Sequence, residues 1–253
     1  MDTPLSQFIS AGFLVTREVM RPPYVSEALL PPRMVSASGC IASFIPDTWC
    51  IEWTEDTVDR RVEDAAAFGL DSRGLADVTA WVTPRFDTSI RWPNVIVDLT
   101  TANELVSRFL DALPDARVLE LALHTSMCEE FCQETEPPPQ QPGFAPTGRQ
   151  GVHEVILAHK PPTAGGRVLG FEPLVFDYSL SCSWLCNSLD TVVHEALGIR
   201  PNQHGLIEAF GDARRCVQYI SRDDVGAEPG LWMPWLIIDH TGGPTRQMQD
   251  IVA

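Results

Sequence analysis

Apolar residues recur at two periods along this chain, and the sharpest switch between them lies in "NVIVDLTTANELVSRFLDALPDARVLELALHT". Val95 to Leu99 is a short apolar run interrupted only by Asp98. Ala102, Leu105, Val106, Phe109, Leu110 and Leu113 then return at helical spacing and predict one buried helix face. Thr101, with Glu104 three positions on, forms a capping box for that helix; Pro114 stops it. Val118 to Leu123 reads as a second strand. A strand, a helix and a strand joined so closely predict a right-handed βαβ unit over residues 95–123.

The remaining patterns are shorter. "GCIASFIPDTWCIEWT" predicts a hairpin, with strands near Cys40–Phe44 and Cys50–Trp53. A helix is expected from Thr57 to Phe68, and residues 75–82 fit a strand or a helix. The stretch "ETEPPPQQPGFAPTGRQG" has no periodicity, and its prolines predict an extended loop or linker at 135–150. Beyond it, "GVHEVILAHK" and "RVLGFEPLVFDYS" read as strands, and helices are expected near 186–197 and 212–221. "LWMPWLIID" closes the sheet, with Pro234 placing it at an edge or a bulge. The expectation is a mixed α/β (α+β) fold, a central mixed sheet with helices packed on it. It forms one composite domain over 1–253; the alternative is two lobes, 1–134 and 151–253.

Charge changes the picture more than size does. Thirty-four acids oppose eighteen bases, a formal net charge of -16, and the surplus lies on both sides of the Pro-rich segment. Such a field repels phosphate backbones and anionic lipid, which argues against direct nucleic-acid or membrane binding and favours a basic protein partner. Seven cysteines, an odd number in a chain of 253 residues, argue against a secreted disulfide framework. The N-terminal residues carry no basic region followed by an apolar stretch, so a cytoplasmic protein is expected. Lys160 is the only lysine among the bases, a bias of GC-rich bacterial coding.

Candidate chemistry concentrates in "SCSWLCNSLDTVVHEALG", residues 181–198. Cys186, Asp190 and His194 share a helix face if the helix begins before Cys186. If Asn187 is the N-cap instead, Asp190 supports the helix N-terminus and Gly198 ends the helix. Leu189, Val192, Val193, Ala196 and Leu197 then form the buried face. As an enzyme, the chain would use Cys186 as nucleophile with His194 or His204 as base. "HTSMCEEFC" supplies a second cysteine pair on a helix that Ser126 and Glu129 would cap. Cys128 and Cys132 could then join Cys182 and Cys186 around zinc; buried small hydrophobes are the competing reading. In "SRDDVGAEPGLWMPWL", acidic Asp223, Asp224 and Glu228 stand beside Trp232, a set suited to receiving a basic protein. No phosphate-binding loop, dinucleotide fingerprint, G-x-S-x-G or H-E-x-x-H is present, and no cofactor is expected.

"GFEPLVFDYSLSCSWLCNSL", "GIRPNQHGLIE" and "VGAEPGLWMPWLIID" together resemble a module of uncharacterised acidic bacterial proteins, from Gly170 to the C-terminus. In its acidic, motif-poor character this module is similar to immunity proteins of bacterial toxin systems. The resemblance implies a cytosolic acidic protein of immunity or inhibitor type that neutralises a protein partner, and it carries no active-site residue. The alternatives are the thiol-dependent enzyme centred on Cys186 and a zinc-stapled structural protein.

Overall fold

The computed structural model describes residues 3–45, 65–86, 88–91, 94–135, 151–176 and 181–242. The hairpin's second strand at Cys50–Trp53 and most of the Thr57–Phe68 helix lie outside these residues. So does the Pro-rich segment from residue 136 onward. The described end of that helix, residues 65–67, is helical. Ala65 within it is buried.

The fold is of mixed α/β type, organised on one sheet. Its strands are β1 (Phe8–Arg17), β4 (Phe44–Ile45), β5 (Ile90–Arg91), β6 (Val95–Ile96), β7 (Ala116–His124), β8 (Arg167–Phe176), β9 (Ser181–Ser183) and β10 (Trp232–Asp239), while β2 (Val19–Met20) and β3 (Arg33–Met34) pair separately. The order is β5-β6-β1-β7-β10-β8-β9, with β4 also on β1, so strands from both sides of the Pro-rich segment share the sheet. Every ladder between these strands is antiparallel. Because β6 and β7 each run antiparallel to β1, they are parallel to one another with β1 between them. The strand–helix–strand unit is therefore present, and it straddles a strand from the N-terminus.

The helices are α1 (Ser72–Val82), α2 (Leu99–Leu105), α3 (Thr125–Glu134), α4 (Gly151–Leu157), α5 (Leu189–Leu197) and α6 (Phe210–Ile220). Residues 75–82 thus belong to a helix, and its Asp71 cap accepts the Gly74 N–H at 2.8 Å. The cap of α2 is Asp98, three positions before Thr101: Asp98 accepts the Thr101 N–H and hydroxyl, each at 2.8 Å. Glu104, freed from a capping role, instead accepts Trp81 Nε1–H at 2.8 Å. "GVHEVIL" forms α4, a helix in place of the expected strand. Val152, Val155 and Ile156 stand at i, i+3 and i+4, the spacing that buries one helical stripe.

Strand alternation divides the core. On β7, Leu119, Leu121 and Leu123 face one cluster with Met233, Trp235 and Ile237 of β10, beneath α3 and α4. The opposite face carries Ala122 with Trp232, Leu236 and Ile238 beneath α5 and α6. Val118 and Ala116 continue that second face into a third cluster beneath α1 and α2.

Two positions show what the sheet demands. β1 changes register against β7 between Ser10 and Gly12, and Gly12 has φ +99. A Cβ there would lie 2.5 Å from Val95 Cγ1, so only glycine fits between β1 and β6. Of the two positions expected from Pro234, an edge or a bulge, β10 is not at an edge but interior, and its pairing with β8 shifts register between Ile237 and Ile238. It tolerates Pro234 because that residue faces Pro173 of β8, and the β7 ladder begins only at Leu236. Two prolines directly opposed in an antiparallel pair need no N–H from each other. Among the described residues no helix is long and apolar enough to cross a membrane.

Loss of the α2 cap in Asp98→Ala is expected to cost about 1 kcal/mol. Gly12→Ala should cost more, since it combines a positive φ with a steric overlap. Urea denaturation of both variants checks the ranking.

Candidate functional site: a strap, a buried carboxylate and three thiols

The chain between β2 and β4, residues 21–43, is almost without regular structure, yet much of its second half is buried. Backbone polar groups inside a protein need partners; turns and neighbouring backbone supply most of them here, and two buried acids supply others. Asp190, in the first turn of α5 and 1% exposed, accepts the Ser26 N–H at 2.8 Å. Glu172, on β8 and also 1% exposed, accepts the Ser36 hydroxyl and the Ala37 N–H, each at 2.7 Å. A further hydrogen bond joins Glu172 to Ser183 of β9. Burial pushes the Glu172 carboxyl above its ordinary range, and these three donors pull it back in part.

Beyond Ala37 the strap runs along β9. The Gly39 N–H and the Ser38 hydroxyl both donate to Ser181 O, at 2.9 Å each. Ser181 returns its own hydroxyl proton to Ala37 O. The edge of β9 is thereby covered, which protects it from pairing with another chain.

This path brings Cys40 to the two cysteines singled out in "SCSWLC". Cys40 Sγ lies 3.2 Å from Cys182 Sγ, although the residues are 142 apart in sequence. Cys186 joins them: its sulfur hydrogen-bonds Cys40, accepts the Ser183 N–H at 3.3 Å, and sits 3.3 Å from Ser38 Oγ. Either the Ser38 hydroxyl or the Cys186 thiol can donate in that contact. Cys40 is exposed, Cys182 buried and Cys186 between the two. No local sequence signal marked Cys40 for this cluster, because the strap delivers it.

Cys186 is not part of a helix face with Asp190 and His194. It lies in a tight turn, Trp184–Asn187, capped by the Ser183 side chain; α5 starts two residues later. The junction is Ser188 in the left-handed region, φ 56, rather than an Asn187 cap. Gly198 ends the helix as expected, but of the expected buried face Val192, at 39% exposure, and Ala196 are exposed. Burial raises the Cys186 thiol to about 11. At neutral pH that leaves about one molecule in 10⁴ as the thiolate that a nucleophile requires. His194 Nδ1 faces Ile199 O at 3.2 Å. His204 neighbours Gln203, and its backbone carbonyl accepts the Val35 N–H. The structure brings neither imidazole to Cys186.

The proposed zinc set is likewise divided. Cys128 and Cys132 sit on α3 against one face of the sheet, while Cys182 and Cys186 pack with the cluster on the other. The α3 cap is His124, whose Nδ1 accepts the Ser126 N–H, in place of Ser126 with Glu129. Among the described residues no group of three or more His, Cys, Asp or Glu is arranged to hold a metal ion.

The acidic loop keeps its charge at the surface but loses its aromatic anchor. Asp223, Asp224 and Glu228 are exposed, with Asp224 paired to Arg222 at 2.7 Å. Trp232 is 2% exposed and donates its indole N–H to Glu228 O at 2.9 Å, so it supports the loop from beneath. It also floors a cleft of ≈ 470 Å³ between α3 and α6, which Met127, Glu130, Arg214 and Gln218 help to line.

One buried group was not signalled by sequence. Glu120 is fully buried on β7, where it interrupts the apolar face between the second and third clusters. It accepts the Ser10 hydroxyl at 2.6 Å and the Thr163 N–H at 3.0 Å, and lies 2.8 Å from His240 Nε2. Serine, histidine and glutamate are all present, but a hydrolytic triad needs the imidazole in the middle. Here the carboxylate is in the middle and the imidazole cannot take the Ser10 proton, so the group serves cohesion.

The fold and this site define a mixed α/β protein with an acid-anchored strap and a three-thiol cluster. Compared with protein-family models, curated proteins and solved structures, the chain matches none of them.

The raised Glu172 carboxyl gives a pH signature. A carboxyl with an elevated folded pKa favours the fold while protonated. That contribution is complete below the ordinary value and is lost as pH rises through the folded one. Wild type is therefore expected to lose stability relative to Glu172→Gln as pH climbs above 4.5, the ordinary value. Denaturant midpoints of both proteins across pH measure the difference.

Proposed function

We propose that the chain is a cytoplasmic acidic binding protein of bacterial immunity or inhibitor type, which neutralises a basic protein partner. The net charge of -16 carries this reading. Its supporting feature is the exposed acidic loop of Asp223, Asp224 and Glu228, which stands beside the cleft bordered by Glu130. A field of one sign steers an oppositely charged partner and speeds the encounter. With Trp232 buried, the recognition surface relies on acid–base complementarity around the cleft rather than on an aromatic anchor.

The thiol-dependent enzyme has less support. Cys186 is a protonated, half-buried thiol that contacts neither His194 nor His204. A zinc-stapled structure would need Cys128 and Cys132 to meet Cys182 and Cys186 from opposite faces of the sheet.

The products of the neighbouring genes are the first proteins to test, by titration calorimetry at low and at physiological ionic strength. The expected result is binding to a basic product whose affinity falls as salt rises. Neutralising Asp223, Asp224 and Glu228 together should slow association and leave the fold intact. Absence of binding to any basic product, or affinity indifferent to salt, overturns the proposal.

A further inference from the structure

We propose that Cys40 and Cys182 are a redox pair, oxidised by a peroxide to an intramolecular disulfide that staples the strap to β9. The two sulfurs stand 3.2 Å apart, and a disulfide needs about 2.05 Å, so closure requires a movement of about 1 Å. Neighbouring hydrogen bonds hold the pair in place. Gly39 and Ser38 are hydrogen-bonded to Ser181, which fixes the backbones on either side of the pair. Cys40 is exposed and is the sulfur an oxidant reaches first; Cys182 is buried directly behind it. Cys186 also touches Cys40, but Ser38 and Ser183 hold its sulfur, and Cys182 is the partner assigned to Cys40.

The chemistry balances without a metal or cofactor. Burial and the Cys182 contact hold the Cys40 thiol above its ordinary value, so oxidation runs through the minor thiolate fraction and calls for excess peroxide. That thiolate attacks one peroxide oxygen; an S–O bond forms, the O–O bond breaks, and the departing hydroxide takes a proton to leave as water. The sulfur of Cys182 then attacks the Cys40 sulfenic acid. The S–S bond forms, the S–O bond breaks, and hydroxide leaves with the Cys182 proton as a second water. Two thiols have lost two electrons and two protons, and hydrogen peroxide has become two waters. A dithiol reductant reverses the change.

The consequence is conformational. The new bond closes a loop between residues 142 apart and fixes the strap where Glu172 and Asp190 hold it by hydrogen bonds alone. Cross-linking so long a segment restricts the unfolded chain, so the oxidised protein should melt at a higher temperature than the reduced one.

The test is to treat the native, reduced protein with hydrogen peroxide, cap remaining thiols with N-ethylmaleimide, digest without reduction and map the linked peptides by mass spectrometry. The expected product is a Cys40–Cys182 linkage that dithiothreitol reverses and that persists in Cys186→Ser. With Cys182→Ser and Cys186→Ser combined, dimedone should trap a sulfenic acid at Cys40. Cys40→Ser should abolish both the linkage and the rise in melting temperature. The proposal is overturned by a dominant Cys182–Cys186 linkage, by conversion of Cys40 to sulfinic acid without linkage, or by linkage only after unfolding in urea. These outcomes do not depend on the binding reading, which stands or falls with the partner titration.

Discussion

The arrangement of this molecule turns on one buried carboxylate. Glu172 lies on β8, an interior strand, and its oxygens are met by Ser36, Ala37 and Ser183, all neutral donors. A carboxyl group taken out of water without partners costs several kcal/mol, so it is tolerable only with its donors in place. Two of those donors belong to a strap whose own hydrogen bonds are those of isolated turns and the short β2–β3 pair. The acid needs the strap and the strap needs the acid. That mutual requirement fixes Ser38 over β9 and, two residues later, Cys40 over Cys182.

A second acid organises the rest of the interior in the same manner. Glu120 draws Ser10 of β1, Thr163 and His240 to one point, so the chain before β8 and the end of β10 are tied to the N-terminal strand. Phe13 and His240 are in ring contact beside it, at 5.6 Å between centroids. Apolar burial supplies the drive to collapse, but it is indifferent to which irregular segment lies where. The buried acids provide that selection, since each accepts only a particular set of N–H and O–H groups. An acidic chain uses some of its carboxylates as internal fasteners, while others at the surface, such as Asp223 and Glu228, form the field a basic partner would meet.

How much of this could be read from sequence follows from the range of each interaction. The helix at 99–110 and the strands β7 and β8 were legible because their signals are local. Asp98 took the cap from Thr101 because two capping residues three positions apart give the same pattern and only the surrounding packing chooses. The α4 segment was misread as a strand although Val152, Val155 and Ile156 carry the helical spacing; in so short an apolar run the two periods are hard to separate. Pro234 does not put β10 at an edge, because a proline is compatible with an interior strand where another proline faces it. The site was legible only in part: "SCSWLC" marked two of the three clustered thiols. The third arrives on the strap, and nothing near Cys40 in sequence records a partner 142 residues away.

The central claim, that Glu172 fastens the strap over β9, is tested most directly by amide hydrogen exchange at Ala37, Gly39 and Ser183 in wild type and in Glu172→Ala. Slow exchange is expected at all three amides in wild type. In the variant all three should lose protection together, while Leu119 and Leu121 in β7 keep theirs. Rapid exchange at Ala37 and Gly39 in wild type, or protection that survives removal of the carboxylate, would contradict it.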